Sequence, residues 1–185
     1  MAEGDPNPGH RSSRTGDGSD AHTPAAMGVL RNLRIIGAAL LGRSSPLPYR
    51  VSVPAGWSDI PGAGNRHYDE YRSPDDQSHI RVFSYEASAT TLEDMIEQDR
   101  AGIRRHVGAL IEAESSMALK DGTPAYRIDY TISAGAENRH GIDVMARFEQ
   151  GAVLFALVSD EPIAVPVMDT FRGVIDSLEF PGEPG

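Results

Sequence analysis

The middle of the chain constrains the fold most, because four strand-like segments follow one another with only short turns between them. They are Leu110–Leu119, Tyr126–Ile132, Ile142–Phe148 and Ala152–Val158. In the second and third segments apolar residues alternate with polar ones, which predicts strands with one buried face. The fourth is apolar throughout and indicates a central strand that is covered on both faces. The tight reversal at Gln150-Gly151 and the short turns elsewhere favour antiparallel pairing.

Three more strands are predicted ahead of this region. In residues 49–53, Tyr49, Val51 and Val53 share one face until Pro54 ends the strand. Trp57 follows, and its ring is expected to cover one end of the core. If that side chain is buried, Trp57→Ala should cost about 3 to 5 kcal/mol. The other two strands are His67–Arg72 and His79–Glu86, joined by a turn at Ser73–Asp76.

Two helices are predicted. Thr91 begins the first, since Asp94 three residues later completes a capping box. Glu97 and Arg100 can pair on its surface, and Gly108 is its expected end. Its apolar stripe consists of Leu92, Met95, Ile96, Ile103 and Val107. The second, Ile163–Ser177, has Met168, Phe171, Ile175 and Leu178 at helical spacing.

This order of elements predicts an α+β fold. We expect an antiparallel β-sheet of about six to seven strands, with one helix after the third strand and a C-terminal helix packed against the sheet.

The rest of the chain divides into a tail and linkers around one domain at residues 49–180. Residues 1–26 are polar and rich in Gly, Pro, Ser and Asp, so we expect a disordered tail. In residues 27–48 two arginines precede a short apolar run, which predicts an amphipathic helix or linker. Through residues 27–43 it could dock on the domain or on a membrane surface, but it is too short to span a bilayer. Residues 181–185 are expected to be flexible, and the start site (Met1 or Met27) and the compartment stay open.

Charge and cysteine content exclude several classes of function. The domain at residues 49–180 contains 22 acids and 12 bases, in a chain of net charge −10. Such a surface repels phosphate backbones, so we expect a basic or neutral protein partner and no nucleic acid. Because the chain has no cysteine, disulfides, thiolate catalysis and cysteine-ligated metals are excluded.

The titratable residues form no recognisable catalytic or metal-binding motif. The domain histidines His67, His79, His106 and His140 lack the spacing of metal ligands. His67 and His79 are expected on strand surfaces, and His106 near a helix C-terminus, where the dipole favours its charged form. The remaining candidates are the carboxylate pairs Asp75-Asp76 and Glu112/Glu114, the glycines of Gly62-Ala63-Gly64, and Ser44, Ser45, Ser115 and Ser116. We interpret the carboxylates as solvated surface and the others as lacking motif context, so no catalytic, cofactor or metal site is expected.

Aromatic residues are concentrated in the first predicted strands and could line a groove or form part of the core. They are Trp57, Tyr68, Tyr71, Phe83 and Tyr85. The core is the favoured interpretation, because strand alternation must bury one face in any case. The methionines at positions 95, 117, 145 and 168 are likewise interpreted as packing residues.

Residues 49–180 resemble the PsbP-like superfamily in several segments. These are the strand into Pro54-Ala55-Gly56-Trp57, the helix capped by Thr91, the strand Pro124–Thr131, and the ending Phe171–Phe180. The superfamily includes the photosystem II extrinsic protein P and Mog-type, LpqN-type and DcrB-type proteins, nearly all of them non-enzymatic. The resemblance implies a shared scaffold with differing partners and no active-site motif to carry over. The chain lacks the lipobox cysteine of LpqN-type lipoproteins.

Three functions follow as expectations. The first is a non-enzymatic protein-binding or accessory module with an acidic surface. The alternative is a carrier or chaperone for an apolar ligand or hydrophobic segment, a role that the resemblance to DcrB-type proteins implies. A second alternative is an unrecognised hydrolase. The partner's identity and the oligomeric state are not determined by the sequence.

Overall fold

A computed structural model describes residues 48–52, 54–60, 68–86, 91–135 and 137–181. The predicted tail, nearly all of the predicted segment 27–48, the glycines at 62–64 and His67 lie outside these residues. The elements are β1 (Ser58–Asp59), β2 (Tyr68–Arg72), β3 (Ser78–Glu86), α1 (Leu92–Arg104), β4 (Ala109–Ala118), β5 (Pro124–Ala134), β6 (Glu137–Arg147), β7 (Gly151–Ser159) and α2 (Val165–Asp176). The predicted α+β class is confirmed. No helix among the described residues is long and apolar enough to cross a membrane.

The strands form one antiparallel sheet in the order β1-β2-β3-β7-β6-β5-β4. The meander β4–β7 folds back until β7 pairs with β3, from Ser78↔Ser159 to Glu86↔Gly151. This closure puts β7 in the middle of the sheet, and all nine of its residues are buried. The central position predicted from its continuous apolar run is therefore confirmed.

The two helices pack on opposite faces of the sheet, here called the α1 face and the α2 face. Met95 and Ile103 anchor α1 on one face, and Phe171 and Val174 anchor α2 on the other. The predicted capping box is present: the Asp94 amide donates to Thr91 Oγ1 at 3.1 Å, and the Thr91 amide donates to Asp94 Oδ2 at 3.0 Å.

The predicted strand at residues 49–53 is wrong. Arg50 forms an isolated antiparallel bridge with Glu179, just after α2, and the described residues 49–52 do not join the sheet. The Tyr49 hydroxyl donates to Asp69 Oδ2 at 2.6 Å and to the Val82 carbonyl at 3.0 Å. The alternation therefore reflects a segment that packs on the α2 face beside α2. The two-residue strand β1 was not predicted.

Three further predictions fail, two of them at the ends of elements. Val107 was placed on the apolar stripe of α1, but the helix ends at Arg104 and Val107 is 94% exposed. Gly108, at φ +80°, turns the chain there and accepts a hydrogen bond from the Ser133 amide. The loop predicted at Gly135–Asn138 is shorter, since β6 already begins at Glu137. From Gly141 to Ala146 β6 is buried on both faces, not on one.

Trp57 packs against the core of the α2 face but is only half-buried. We therefore expect Trp57→Ala to cost about 1 to 2 kcal/mol, below the roughly 3 to 5 kcal/mol typical of a fully buried ring. Phe155→Ala, at a ring with 0% exposure, provides the comparison and should cost the full amount. Chemical denaturation of both variants measures this, and equal losses would contradict the expectation.

Candidate functional site

The α1 face contains a cluster of polar side chains that are almost completely buried. Four different elements supply it: Asp99 of α1 (0% exposed), Asp143 of β6 (2%), Tyr130 of β5 (3%) and Arg81 of β3 (5%). Buried charges are rare unless they are paired. The cluster is thus the most unusual chemical feature of the described interior.

Asp99 and Asp143 form a pair of buried carboxyl groups. Burial raises the pKa of Asp99 from 3.8 to about 7, although interaction with Asp143 lowers it somewhat. Burial, followed by the nearby charge of Asp99, raises the pKa of Asp143 well above its ordinary value. Neither oxygen of Asp99 has a well-formed hydrogen bond, and the Asp143 carboxyl is the group that interacts with it. Since two adjacent carboxylates in a dry interior repel each other, the pair retains at least one proton near neutral pH.

The Tyr130 side chain crosses over Gly141 and brings its hydroxyl close to the Asp99–Asp143 pair. Its hydroxyl lies 3.4 Å from Asp143 Oδ1, and Tyr130 is paired with Gly141 on the neighbouring strand. A Cβ at position 141 would lie 2.2 Å from the Tyr130 ring carbon Cζ, closer than atoms can approach. Glycine is therefore required here so that the ring can cross the strand toward Asp143. Burial also raises the pKa of Tyr130, which keeps the phenol neutral.

A second buried group adjoins the cluster on β2 and β3. His79 Nδ1 lies 3.3 Å from Glu70 Oε1, and Arg81 Nε lies 3.4 Å from Glu70 Oε2. Burial opposes ionisation of Glu70, but the hydrogen bond from His79 and the charge of Arg81 outweigh it and lower the pKa to about 2. Glu70 is therefore an anion balanced by Arg81. The prediction that His79 lies on a strand surface is wrong, because β3 is an interior strand and His79 is 7% exposed.

The cluster can hold a proton and balance charge, but its lack of exposure keeps Asp99 and Asp143 from touching a substrate in this conformation. Sequence reasoning missed it. One signal was available: Asp99 lies four residues from both Met95 and Ile103, on the stripe that α1 buries. Asp143 carried no such signal, since it alternates with Ile142 and Val144 as a solvent-facing residue would.

The α2 face contains the second candidate, a groove between α2 and strands β4 to β6. Its volume is about 340 Å³. Ile142 and Val144 of β6 form the floor, α2 forms one wall, and Met117 of β4 stands on the other side. The groove continues into a wider recess of about 600 Å³ at the β4–β5 and β6–β7 turns, where Phe148 and Phe180 line it. It is an apolar, open site of the size that ligands and peptide segments occupy.

The other predicted candidates are dispersed. Asp75 and Asp76 lie in a surface turn, as expected: Asp75 accepts from the Ser73 hydroxyl and the Gln77 amide, and Asp76 pairs with Arg72 at 2.9 Å. Glu114 pairs with Arg100 at 2.8 Å. Glu112 lies in the β-bulge between Ile111 and Ala113 and is exposed.

The remaining histidines and serines that the structure describes do not converge on these groups, and Ser44 and Ser45 lie outside the described residues. His106 lies just past the C-terminal end of α1, as expected, and burial followed by the charge of Arg105 lowers its pKa. His140 is half-buried on β6, and Ser115 and Ser116 are exposed on β4. Within the described ranges, no group of three or more His, Asp or Glu side chains is placed to hold a metal ion.

The predicted aromatic group is divided between the two faces of the sheet. Tyr68 and Phe83 stack on the α1 face with ring centroids 4.8 Å apart, whereas Tyr71 and Trp57 pack on the α2 face. The side chain of Tyr85 is outside the described part. Tyr71 and Phe83 are each 4% exposed, which confirms that they are core residues. These aromatics do not line one groove.

The fold is an antiparallel sheet of seven strands with one helix on each face. Solved structures with a similar fold are known. Neither a protein-family model nor a curated protein matches the sequence. The structure resembles LpqN from Mycobacterium tuberculosis, a protein involved in cell envelope biogenesis, with 14% identity, a TM-score of 0.56 and coverage of 74% of this chain and 84% of LpqN. It also resembles cyanobacterial PsbP from Synechocystis sp. PCC 6803, with 19% identity, a TM-score of 0.53 and coverage of 71% and 86%. A Bacteroides thetaiotaomicron structure matches at 9% identity and a TM-score of 0.53, covering 75% of this chain and 50% of that one. The chain therefore has the PsbP-like fold, as its sequence resemblance predicted.

Proposed function

We propose that this chain is a non-enzymatic protein-binding module whose acidic surface receives a basic or neutral protein partner. The surface charge carries the proposal. Of the 22 acids in residues 49–180, the described structure buries three, Glu70, Asp99 and Asp143. Of the 12 bases it buries Arg81 and Arg139. Burial thus leaves nearly all of the acidic excess facing solvent.

An excess of negative charge on the surface affects the rate of association with a partner more than it affects the strength of any single contact. A surface of one dominant sign speeds encounters with partners of opposite charge and suppresses partners of like charge. The effect weakens with salt, because the screening length falls from about 10 Å at 0.1 M to about 3 Å at 1 M. A salt-sensitive partner is therefore the expected signature.

Crosslinking of the full chain in extracts of its host, at low and at high salt, tests this function. We expect a partner whose capture falls as salt rises and falls again when three exposed acids are neutralised in Glu93→Gln, Glu112→Gln and Glu149→Gln. A matched triple variant at exposed neutral positions, Gln98→Ala, Ser115→Ala and Ser116→Ala, should behave like the wild type. Finding no salt-sensitive partner would count against the proposal.

A carrier or chaperone for an apolar ligand or segment is the second candidate, and the groove beside α2 supports it. Its buried floor of Ile142 and Val144 and its open side would accept apolar surface. Native mass spectrometry of the protein purified from its host would reveal a retained ligand, whereas protein that is always empty argues against a carrier. A hydrolase stays the second alternative without an observation in its favour, and inactivity on a panel of esters would remove it.

A further inference from the structure

The groove exists because one helix is too narrow to cover the α2 face. Seven strands spaced about 4.8 Å apart span roughly 29 Å, whereas a helix with its side chains is about 10 Å across. On this face Leu110 of β4 is 61% exposed and Met117 is 37% exposed. Among the residues that the structure describes, nothing covers the strip between α2 and β4, which has about the width of one further helix.

The walls of this strip are shaped for apolar contact. Phe171 and Ile175 of α2 meet Ile142 and Val144 of β6 at the bottom, and all four are less than 8% exposed. Met168 and Met117 stand on opposite sides, and methionine side chains adapt readily to different apolar surfaces. Because α2 has 12 residues, the strip is about 18 Å long, or roughly three helical turns.

Charge separates the groove from the rest of the surface. The charged side chains that line it are Lys120, Arg127, Arg172 and Asp176. Arg127 Nε pairs with Asp129 at 2.6 Å, and Arg172 Nη1 lies 3.5 Å from Asp169. With these partners the groove is close to neutral, although the domain around it has ten more acids than bases. An occupant would thus meet an uncharged apolar floor inside a negative field.

We propose that the groove binds a helical segment of a protein partner, about three turns long, with an apolar face, Arg or Lys at its ends and no acidic residues. The inference rests on the proposed binding function and names its site and the chemistry of the bound segment. The apolar face would fill the strip, and the basic ends would lie in the negative field beyond it. Strand addition at the β4 edge is less suitable, because the bulge at Glu112 and the charge of Glu114 interrupt that edge.

A synthetic helix tests the groove directly. The probe is a fluorescein-labelled peptide with leucines at positions i, i+3, i+4 and i+7 and arginines at both ends, and fluorescence anisotropy with the full chain measures its binding. We expect saturable binding that weakens at least tenfold in the double variant Met117→Gln, Met168→Gln. The matched control Val107→Gln, Val165→Gln changes two exposed apolar residues (94% and 73%) outside the groove and should alter affinity less than twofold. Methionine to glutamine preserves length and charge, so a loss of binding would report the apolar contact.

Several results would overturn the inference. One is equal binding of a scrambled peptide or of one with glutamates at its ends, and another is unchanged binding in the groove variant.

A disulfide crosslink tests the other possible occupants of the groove. Because the chain has no cysteine, the double variant Leu40→Cys, Met117→Cys contains only the two thiols that the test needs. An intramolecular disulfide there would assign the groove to the chain's own residues 27–43. Dimerisation that the groove variant abolishes would assign it to a second copy. If a salt-sensitive partner is captured equally by the groove variant, the proposed function stands and this inference fails; if no partner is captured, the proposed function fails.

Discussion

Asp99→Asn is expected to stabilise the protein at pH 8 by on the order of 2 to 4 kcal/mol. The physical reason is the cost of ionising a buried carboxyl beside Asp143. Each unit of pKa shift corresponds to about 1.4 kcal/mol, and the pKa of Asp99 rises from 3.8 to about 7. Asparagine preserves the shape and removes that ionisation. The gain should therefore be present at pH 8 and small at pH 4.

The sign of the pH dependence follows from the same shift. Between about pH 4 and 7 the folded protein keeps a proton on Asp99 that the unfolded chain has lost, so stability falls as pH rises through this window. Asp143 and Tyr130, which face the site from β6 and β5, retain their protons, and Arg81 of β3 lies beside them. Glu70 acts in the opposite sense: its pKa of about 2 contributes stability above pH 4.5 that is lost as pH falls toward 2. We expect the wild type to be most stable near pH 4 to 5.

Urea denaturation of the wild type and of Asp99→Asn from pH 4 to 8 measures the gain from the substitution and the dependence of stability on pH. The matched control is Glu93→Gln, an exposed carboxylate on the same helix, which should leave the slope of stability against pH unchanged. If the Asp99→Asn variant is less stable than the wild type at pH 8, or if its stability has the same dependence on pH, the Asp99–Asp143 pair ionises without cost to the folded protein. Burial would then not raise the pKa of Asp99.

Gly141→Ala is expected to destabilise the protein by about 3 kcal/mol, the upper range for inserting a group into a packed core. The new Cβ would lie 2.2 to 2.6 Å from three atoms at the end of the Tyr130 ring, which is itself 3% exposed. Both the ring and Gly141 are buried, so a shift of either would disturb the residues packed around it. The displaced ring should also take its hydroxyl away from Asp143.

Gly173→Ala on α2 is the matched control for this substitution. A Cβ there meets nothing within 4 Å, and alanine is the better helix former, so a gain of about 0.5 to 1 kcal/mol is expected. A double-mutant cycle with Tyr130→Ala isolates the clash, because Gly141→Ala should cost little once the ring is gone. If the cost persists in that background, contact with the ring is not its cause.

The elements that were predicted well are those whose signals are local. The capping box at Thr91, the alternation in β5 and the apolar run of β7 depend on neighbouring residues, and these determine the local backbone. Residues 49–53 alternate as a strand does, yet residues 49–52 lie beside the end of α2. A period of two shows that one side is buried without showing against which partner.

The buried cluster and the groove could not be predicted from the sequence for a related reason. Asp143 is buried because β6 lies between β5 and β7 with a helix on each face, and its own neighbours in sequence do not reveal that position. Likewise, the groove forms because α2 is narrower than the sheet and lies to one side of strands β4 to β6, and the local sequence does not show that position. The sequence alone determined the α+β class, the order of the elements from β2 to α2, the negative net charge and the absence of cysteine, since these follow from composition and short-range pattern. Only the tertiary structure decided which carboxyls lose their water, which face stays uncovered and where Trp57 rests, because burial depends on residues that are distant in the chain.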